Sequence, residues 1–334
     1  MSKILLTAVG CPGFMEIYRA LHKTRLYDII GTDNNQWCAG YKTVQKFYHV
    51  PHGREPDYLE IIQNIVNHED IDAILPESTP ELLPLSRVLY AVVSDKLALK
   101  RTINKGRMLG HFDDEIVPQF RVVATPGQME RAVQDLGYPR EKVVIKPCVA
   151  DGSRGLRVLS GQTDMIASFL GKPDSTISNW GNVNPFIHAA YNAGKLPDYL
   201  VMEYLPGVEY SVDCIPQLNV AVVRTRNTTR SGIAWVSSVI EKPALSNTAL
   251  SICDKLELKY NINLQFKEDS HQVPKLIEIN PRVSGTIAAC IHAGINLPNL
   301  AVKKFLGKSI RSCELKYKTG TFYRYWSGVW SVPL

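Results

Sequence analysis

Leu276-Ile277-Glu278-Ile279-Asn280-Pro281-Arg282 is the stretch on which the reading of this chain turns. Successive side chains of an extended strand alternate between faces, so Glu278 and Asn280 project to one side while Ile277 and Ile279 back them. Upstream, Asn261-Ile262-Asn263-Leu264-Gln265-Phe266-Lys267 alternates too, with Ile262, Leu264 and Phe266 on one face and Asn263 and Gln265 on the other. The segment between, Glu268 to Pro274, is polar and turn-like. A hairpin centred near His271 and Gln272 would set Gln265 opposite Glu278. Gln265, Glu278 and Asn280 then offer three oxygen-bearing side chains, with Arg282 beyond them. Such a set suits a hard divalent cation of the kind shared with nucleotide phosphates. Read alone, it is equally an ordinary hairpin with a polar outer face, and the upstream residues decide between the two.

Val143-Val144-Ile145-Lys146-Pro147 reads as a strand ending in a lysine, followed by the glycine loop Ala150-Asp151-Gly152-Ser153-Arg154-Gly155. A lysine fixed at a strand end is a point charge suited to phosphate oxygens. Glycines let backbone N–H groups approach phosphates without a Cβ in the way. Farther on, Leu200-Val201-Met202-Glu203-Tyr204-Leu205 is an apolar strand able to offer backbone groups to an adenine edge. Glu209 follows the Pro206-Gly207 turn, where its carboxylate can accept from ribose hydroxyls.

Residues 1–94 alternate strands and helices, the pattern of a parallel, Rossmann-like sheet. Lys3–Val9, Tyr27–Gly31 and Ile71–Leu75 read as strands, and Met15–Thr24 and Asp57–Asn67 as helices. Gly10 and Gly13 with Asp33 downstream form only part of a dinucleotide fingerprint. Glu77, at the end of the third strand, is expected to face a substrate. A last aromatic segment, Thr321–Val332, reads as strand-like, and the stretches 180–198 and 226–238 read as loops that would carry specificity.

Together these motifs resemble the ATP-grasp superfamily, whose order and separations they keep over about residues 95–310. The fold implied is α/β, of the α+β ATP-grasp kind. A Rossmann-like domain (1–94) would precede an ATP-grasp domain (95–310), with a small mobile lid subdomain at about 118–205 and the aromatic tail at 311–334. Residue by residue, the resemblance implies ATP contacts at Lys105, Lys146, Gly152, Ser153, Gly155, Glu203, Leu205 and Glu209. Lys96 and Lys100 compete with Lys105 for the first lysine position. Gln265, Glu278 and Asn280 match metal ligands, and Arg282 with Lys146 matches the groups that steady transferred phosphoryl charge. Glu77, Arg226 and Arg230 are substrate candidates. Gln265, where many members carry an acid, is similar to the carbamoyl-phosphate-synthetase-like branch. Asn263 stands where peptide-bond-forming members often have an arginine, a role open to Arg282, Arg224, Arg226 or Arg230. The cofactors implied are ATP and Mg2+ or Mn2+, with two ions expected. The activity implied is ADP-forming activation of a carboxylate as an acyl phosphate and its coupling to an amine. The alternatives are bicarbonate or carbamate activation and a nucleotide-binding module without turnover.

Composition agrees with this class. The chain has 334 residues, is 45% hydrophobic and 21% charged, and carries a formal charge of +6. That mild, dispersed charge fits anionic small molecules and points to neither nucleic acid nor membrane as a partner. Seven scattered cysteines without a Cys-x-x-Cys pair suggest a reduced, cytoplasmic protein. The expected partners are small-molecule carboxylate and amine substrates, and a homodimer is an admitted assembly.

Overall fold

The computed structural model describes residues 1–150, 152–162, 176–230 and 232–330. Asp151 of the glycine loop, residues 163–175 of the expected lid and the last residues of the aromatic tail lie outside them. The described residues form two compact units. One comprises Met1–Ile103, Glu209–Gln265 and Ile279–Leu334; the other comprises Asn104–Val208 and Phe266–Glu278.

The first unit opens with β1 (Ser2–Thr7), α1 (Phe14–His22), β2 (Tyr27–Asp33), β3 (Lys46–His49), α2 (Tyr58–Glu69), β4 (Ala73–Pro76), α3 (Thr79–Leu85) and α4 (Lys96–Thr102). The strands lie parallel in the order β3-β2-β1-β4. A parallel sheet is covered on both faces, which is why β1 and β4 are near-continuous apolar runs. On one face Leu5, Ile30 and Ile74 meet Tyr58, Ile62 and Ile65 of α2. The other core joins Ile4, Leu6, Phe14, Ile17 and Leu21 to Ile215, Val222, Ile287, Leu297 and Leu300 from far along the chain. Tyr27 Oη donates to Asn299 Oδ1 at 2.8 Å in the same region.

The second unit begins with α5 (Lys105–Leu109). It continues through β5 (Phe120–Val123), α6 (Pro126–Asp135), β6 (Val143–Pro147), β7 (Arg157–Leu159), β8 (Ile177–Ser178), α7 (Trp180–Asn192) and β9 (Tyr199–Glu203). Its sheet has the order β5-β9-β6-β7-β8, antiparallel except for β7 on β8. Met129 and Val133 of α6 and Ile187 of α7 pack on Val143, Ile145, Leu159 and Val201.

The chain then re-enters the first unit with β10 (Glu209–Ile215), β11 (Val220–Thr225), β12 (Thr228–Arg230), β13 (Ile233–Ile240) and α8 (Pro243–Lys255). The hairpin strands β14 (Ile262–Glu268) and β15 (Pro274–Asn280) carry it to the second unit and back. After them come α9 (Ala288–His292), α10 (Leu297–Phe305) and β16 (Gly320–Tyr323). The sheet order is β12-β13-β11-β10-β14-β15, with β16 paired to β13.

Three readings need correction. Residues 226–238 are not a loop: β12 and β13 occupy most of them, and β13 buries Ala234, Ser237 and Val239 among half-buried neighbours. Residues 180–192 are helix α7, starting earlier than the helix expected near Pro185–Ala193 within that stretch, and capped by the Asn179 side chain, which accepts from Asn182 N. The aromatic tail is a strand only over Gly320–Tyr323, and 324–330 carry no regular structure. The turn between β14 and β15 lies where the polarity placed it. Asp269 N donates to Val273 O at 3.0 Å, and the Asp269 carboxylate accepts from His271 N and Val273 N.

Candidate active site

In the second unit two lysines approach β15. Lys105 opens α5, a helix capped by Asn104, and its backbone N–H donates to Cys148 O at 2.8 Å, which ties it to the end of β6. Its Nζ lies 3.0 Å from Glu278 Oε1 and donates to Ala150 O at 2.6 Å. Lys146, in β6, donates from Nζ to Ile277 O at 3.0 Å. Both lysines are buried. Two buried ammonium groups on one short stretch of strand make a cationic locus that would attract phosphate oxygens.

The glycine loop leads out of β6. Gly152, Ser153 and Gly155 have φ of +61°, +60° and +74°, the left-handed region in which a side chain is strained. A Cβ on Gly155 would stand 2.7 Å from Pro147 Cγ, so glycine is required there for conformation and for space. At the end of β9, Glu203 Oε1 accepts from Gln119 N at 2.8 Å, and the Leu205 side chain is buried.

In the first unit Glu209 Oε1 lies 3.0 Å from Arg226 Nε, and an Arg226 Nη donates to Gly232 O at 2.7 Å. Arg226, read as a substrate candidate, is thus the ion-pair partner of the predicted ribose acid. Arg230 is exposed and stacks over Trp235, 4.4 Å from the ring centroid. Gln265 is half-buried in β14, and Asn280 is buried at the end of β15, where its carbonyl accepts from Arg282 N at 2.8 Å. The predicted metal donors are therefore one carboxylate and two amide oxygens. An all-oxygen set suits Mg2+. Among the described residues no group of three His, Cys, Asp or Glu side chains offers an alternative metal centre.

Arg282 Nε lies 3.4 Å from Thr79 Oγ1, and Nη1 donates to Val283 O at 2.7 Å. Near it stands Glu77, buried, with neither carboxylate oxygen meeting a hydrogen-bond donor. Burial drives its carboxyl well above the usual range; the Arg282 charge opposes this, and Glu81 and Asp33 reinforce it.

A buried network surrounds Arg224, which no motif marks. Its Nε donates to Asp213 Oδ2 at 2.6 Å and an Nη to Ser284 Oγ at 3.0 Å. Asn263 Nδ2 donates to Ser211 Oγ and to Asp213 Oδ1. Arg224 is thus spent inside the core, bracing the segment that follows Arg282, and Asn263 belongs to the same brace. Only the alternation of β11, which turns Arg224 to the same face as Val222, hinted at burial.

This is the ATP-grasp fold, and the two lysines predicted to bind nucleotide lie in its second unit. Comparisons with known proteins agree. The family described as ATP-grasp in the biosynthetic pathway with Ter operon matches residues 195–325, and the PylC-like N-terminal domain matches residues 4–91. The chain is 25% identical over 281 residues to the carbamoyl phosphate synthase large chain of Methanobrevibacter smithii, covering 77% of this chain and 25% of that protein. It therefore spans about a quarter of the length of the curated relatives it matches. Among solved structures it resembles a biotin carboxylase–β,γ-ATP complex from Campylobacter jejuni, with a TM-score of 0.69, 15% identity and coverage of 96% of this chain and 74% of that one. It equally resembles an L-amino acid ligase from Bacillus licheniformis, with a TM-score of 0.69, 11% identity and coverage of 97% and 79%. The chain has the ATP-grasp fold and resembles proteins of the carbamoyl-phosphate-synthetase-like branch.

Proposed function

We propose that this protein is an ADP-forming ligase that activates a carboxylate as an acyl phosphate and couples it to an amine. The observation that carries the reading is the approach of Lys105 and Lys146 to one strand, with Lys105 on the Glu278 carboxylate. Phosphoryl transfer asks for positioning and charge neutralisation rather than covalent help from the protein. Lys105 and Lys146 hold the phosphates, and the glycine loop covers them with backbone N–H groups. Glu203 and Leu205 flank the adenine and Glu209 receives the ribose. Glu278, Gln265 and Asn280 would hold Mg2+, which when bound neutralises phosphate charge. Arg282 steadies the transferred phosphoryl group. An acyl phosphate hydrolyses if wet, so the segment at about 118–205, within the 95–310 domain, would act as the water-excluding lid subdomain, and residues 1–94 would bear the substrate.

The test is ADP release from Mg-ATP with pooled amino acids and small carboxylates in bicarbonate-depleted buffer. Release that depends on the pool supports the ligase, and splitting the pool finds the substrate. Release that requires only bicarbonate supports the second reading, activation of bicarbonate or carbamate. That reading is favoured by Gln265 in place of an acid and by the similarity to carbamoyl phosphate synthase. Nucleotide binding without release under either condition refutes both.

A further inference from the structure

In the parallel sheet of the first unit, β2 and β3 lie to one side of β1 and β4 lies to the other. The chain leaves β1 and β4 in opposite directions, and the crevice outside their carboxyl ends is where such sheets bind ligands. Two segments enter it. After β1 comes the turn at Gly10 and Cys11, whose Sγ lies 3.8 Å from Glu77 O; after β4 comes Glu77 itself.

The acids gathered here differ in their bonding. Asp33 accepts from Gly10 N at 2.6 Å and from Asn35 N at 2.8 Å. Glu81 accepts from Thr7 Oγ1 at 2.6 Å. Glu77 alone of the three has no donor on either oxygen, although only 4% of it is exposed. A buried carboxylate left without donors is costly, by on the order of 1–3 kcal/mol even when neutral, so its presence calls for a function. No metal-binding cluster of acids, histidines or cysteines includes it among the described residues. What it lacks is a group rich in N–H donors. Arg282, which enters the same cluster from the segment after β15, uses Nε and Nη1 within the protein and retains Nη2.

We propose that Glu77 receives the ammonium group of a small amino-bearing acid whose anionic end meets Arg282, in the crevice between β1 and β4. Calling this ligand the amine substrate rests on the ligase reading; its binding to Glu77 does not. An ammonium group supplies three donors to two oxygens that have none. The charged pair is hydrogen-bonded at both ends, the condition under which burying charge is tolerated. An acid without the amino group leaves Glu77 as it is now and gains only the arginine contact.

The experiment is calorimetric titration of the full chain at pH 7.5, once without nucleotide and once with Mg-ADP. The probes are the twenty L-amino acids, β-alanine and 4-aminobutanoate, with acetate, propanoate and butanoate as amine-free counterparts. At least one amino-bearing probe is expected to bind, its amine-free counterpart at least tenfold more weakly. Glu77→Gln should weaken that probe at least tenfold and leave Mg-ADP affinity within twofold. Equal binding of amine-free acids, unchanged affinity in Glu77→Gln, or no binding by any amino-bearing probe would each overturn the assignment. A melting scan separates binding from a structural role. Glu77→Gln removes a buried ionisable group without donors and is expected to melt no lower than the parent; a markedly lower melting temperature would make Glu77 structural and overturn the proposal. Failure of the parent to bind Mg-ADP tells against the ligase alone, because the titrations without nucleotide still read Glu77.

Discussion

Glu278 and Lys105 hold each other at 3.0 Å, both largely shielded from solvent. The contact gives each a partner, and under the proposed function it would be exchanged for phosphate and metal. In the proposed enzyme Glu278→Ala should therefore lower ADP formation by on the order of 10²-fold or more, the scale of losing one charge-stabilising group. Circular dichroism should be unchanged; near-parental turnover would remove Glu278 from the metal set. Lys146→Ala should raise the Mg-ATP concentration needed for half-maximal rate by about tenfold, the scale of one charge-assisted hydrogen bond. A steady-state titration reads this, and an unchanged value would end its phosphate role. Arg224 behaves differently. It is fully buried against Asp213, and Arg224→Met leaves that carboxylate without its counter-charge. The expected cost is about 3–5 kcal/mol in urea unfolding, as for other broken buried pairs.

At the scale of elements, the ends of β1 and β4 set a pH response. Glu81 is pushed up to about 7, by burial first, partly offset by the hydrogen bond from Thr7. An acid whose pKa is higher folded than unfolded binds more protons when folded, so stability falls as pH rises. For Glu81 the fall begins at its ordinary value of 4.5 and ends near 7. Glu77 shifts in the same direction and adds to the fall. Unfolding free energy should thus decline between pH 5 and 7.5, and Glu81→Gln should flatten the decline by on the order of 2 kcal/mol. Urea titrations at the two pH values check this, and an identical slope in the variant would show that Glu81 does not carry it. Motif order and apolar alternation made β1, β4, β6, β9 and the β14–β15 hairpin legible. The strand β12 was not, because Arg226-Asn227-Thr228-Thr229-Arg230 is polar throughout and reads as solvated loop. Arg224, in β11, is buried by its pairing with Asp213, a partner that local alternation does not name.

At the scale of the molecule, residues 1–94 are a sequence-defined segment without a core of their own on both faces. One face of their sheet is completed by α2, the other by α1 only together with residues such as Ile287, Leu297 and Leu300. A 1–94 fragment exposes that second face, and it should show neither cooperative melting nor a folded near-ultraviolet spectrum; a sharp transition would mean that the α2 face suffices. Among the described residues no helix is long and apolar enough to cross a membrane. The sequence by itself determined the repeating strand and helix patterns, the two lysines, the glycine loop and the hairpin acids, because each is written in side-chain period or in a residue type at a fixed local spacing. Tertiary structure decided which residues meet. It set Lys105 on Glu278, turned Arg224 inward to Asp213, and left Glu77 buried without a donor, because burial and pairing depend on residues of other strands and helices that no local pattern specifies.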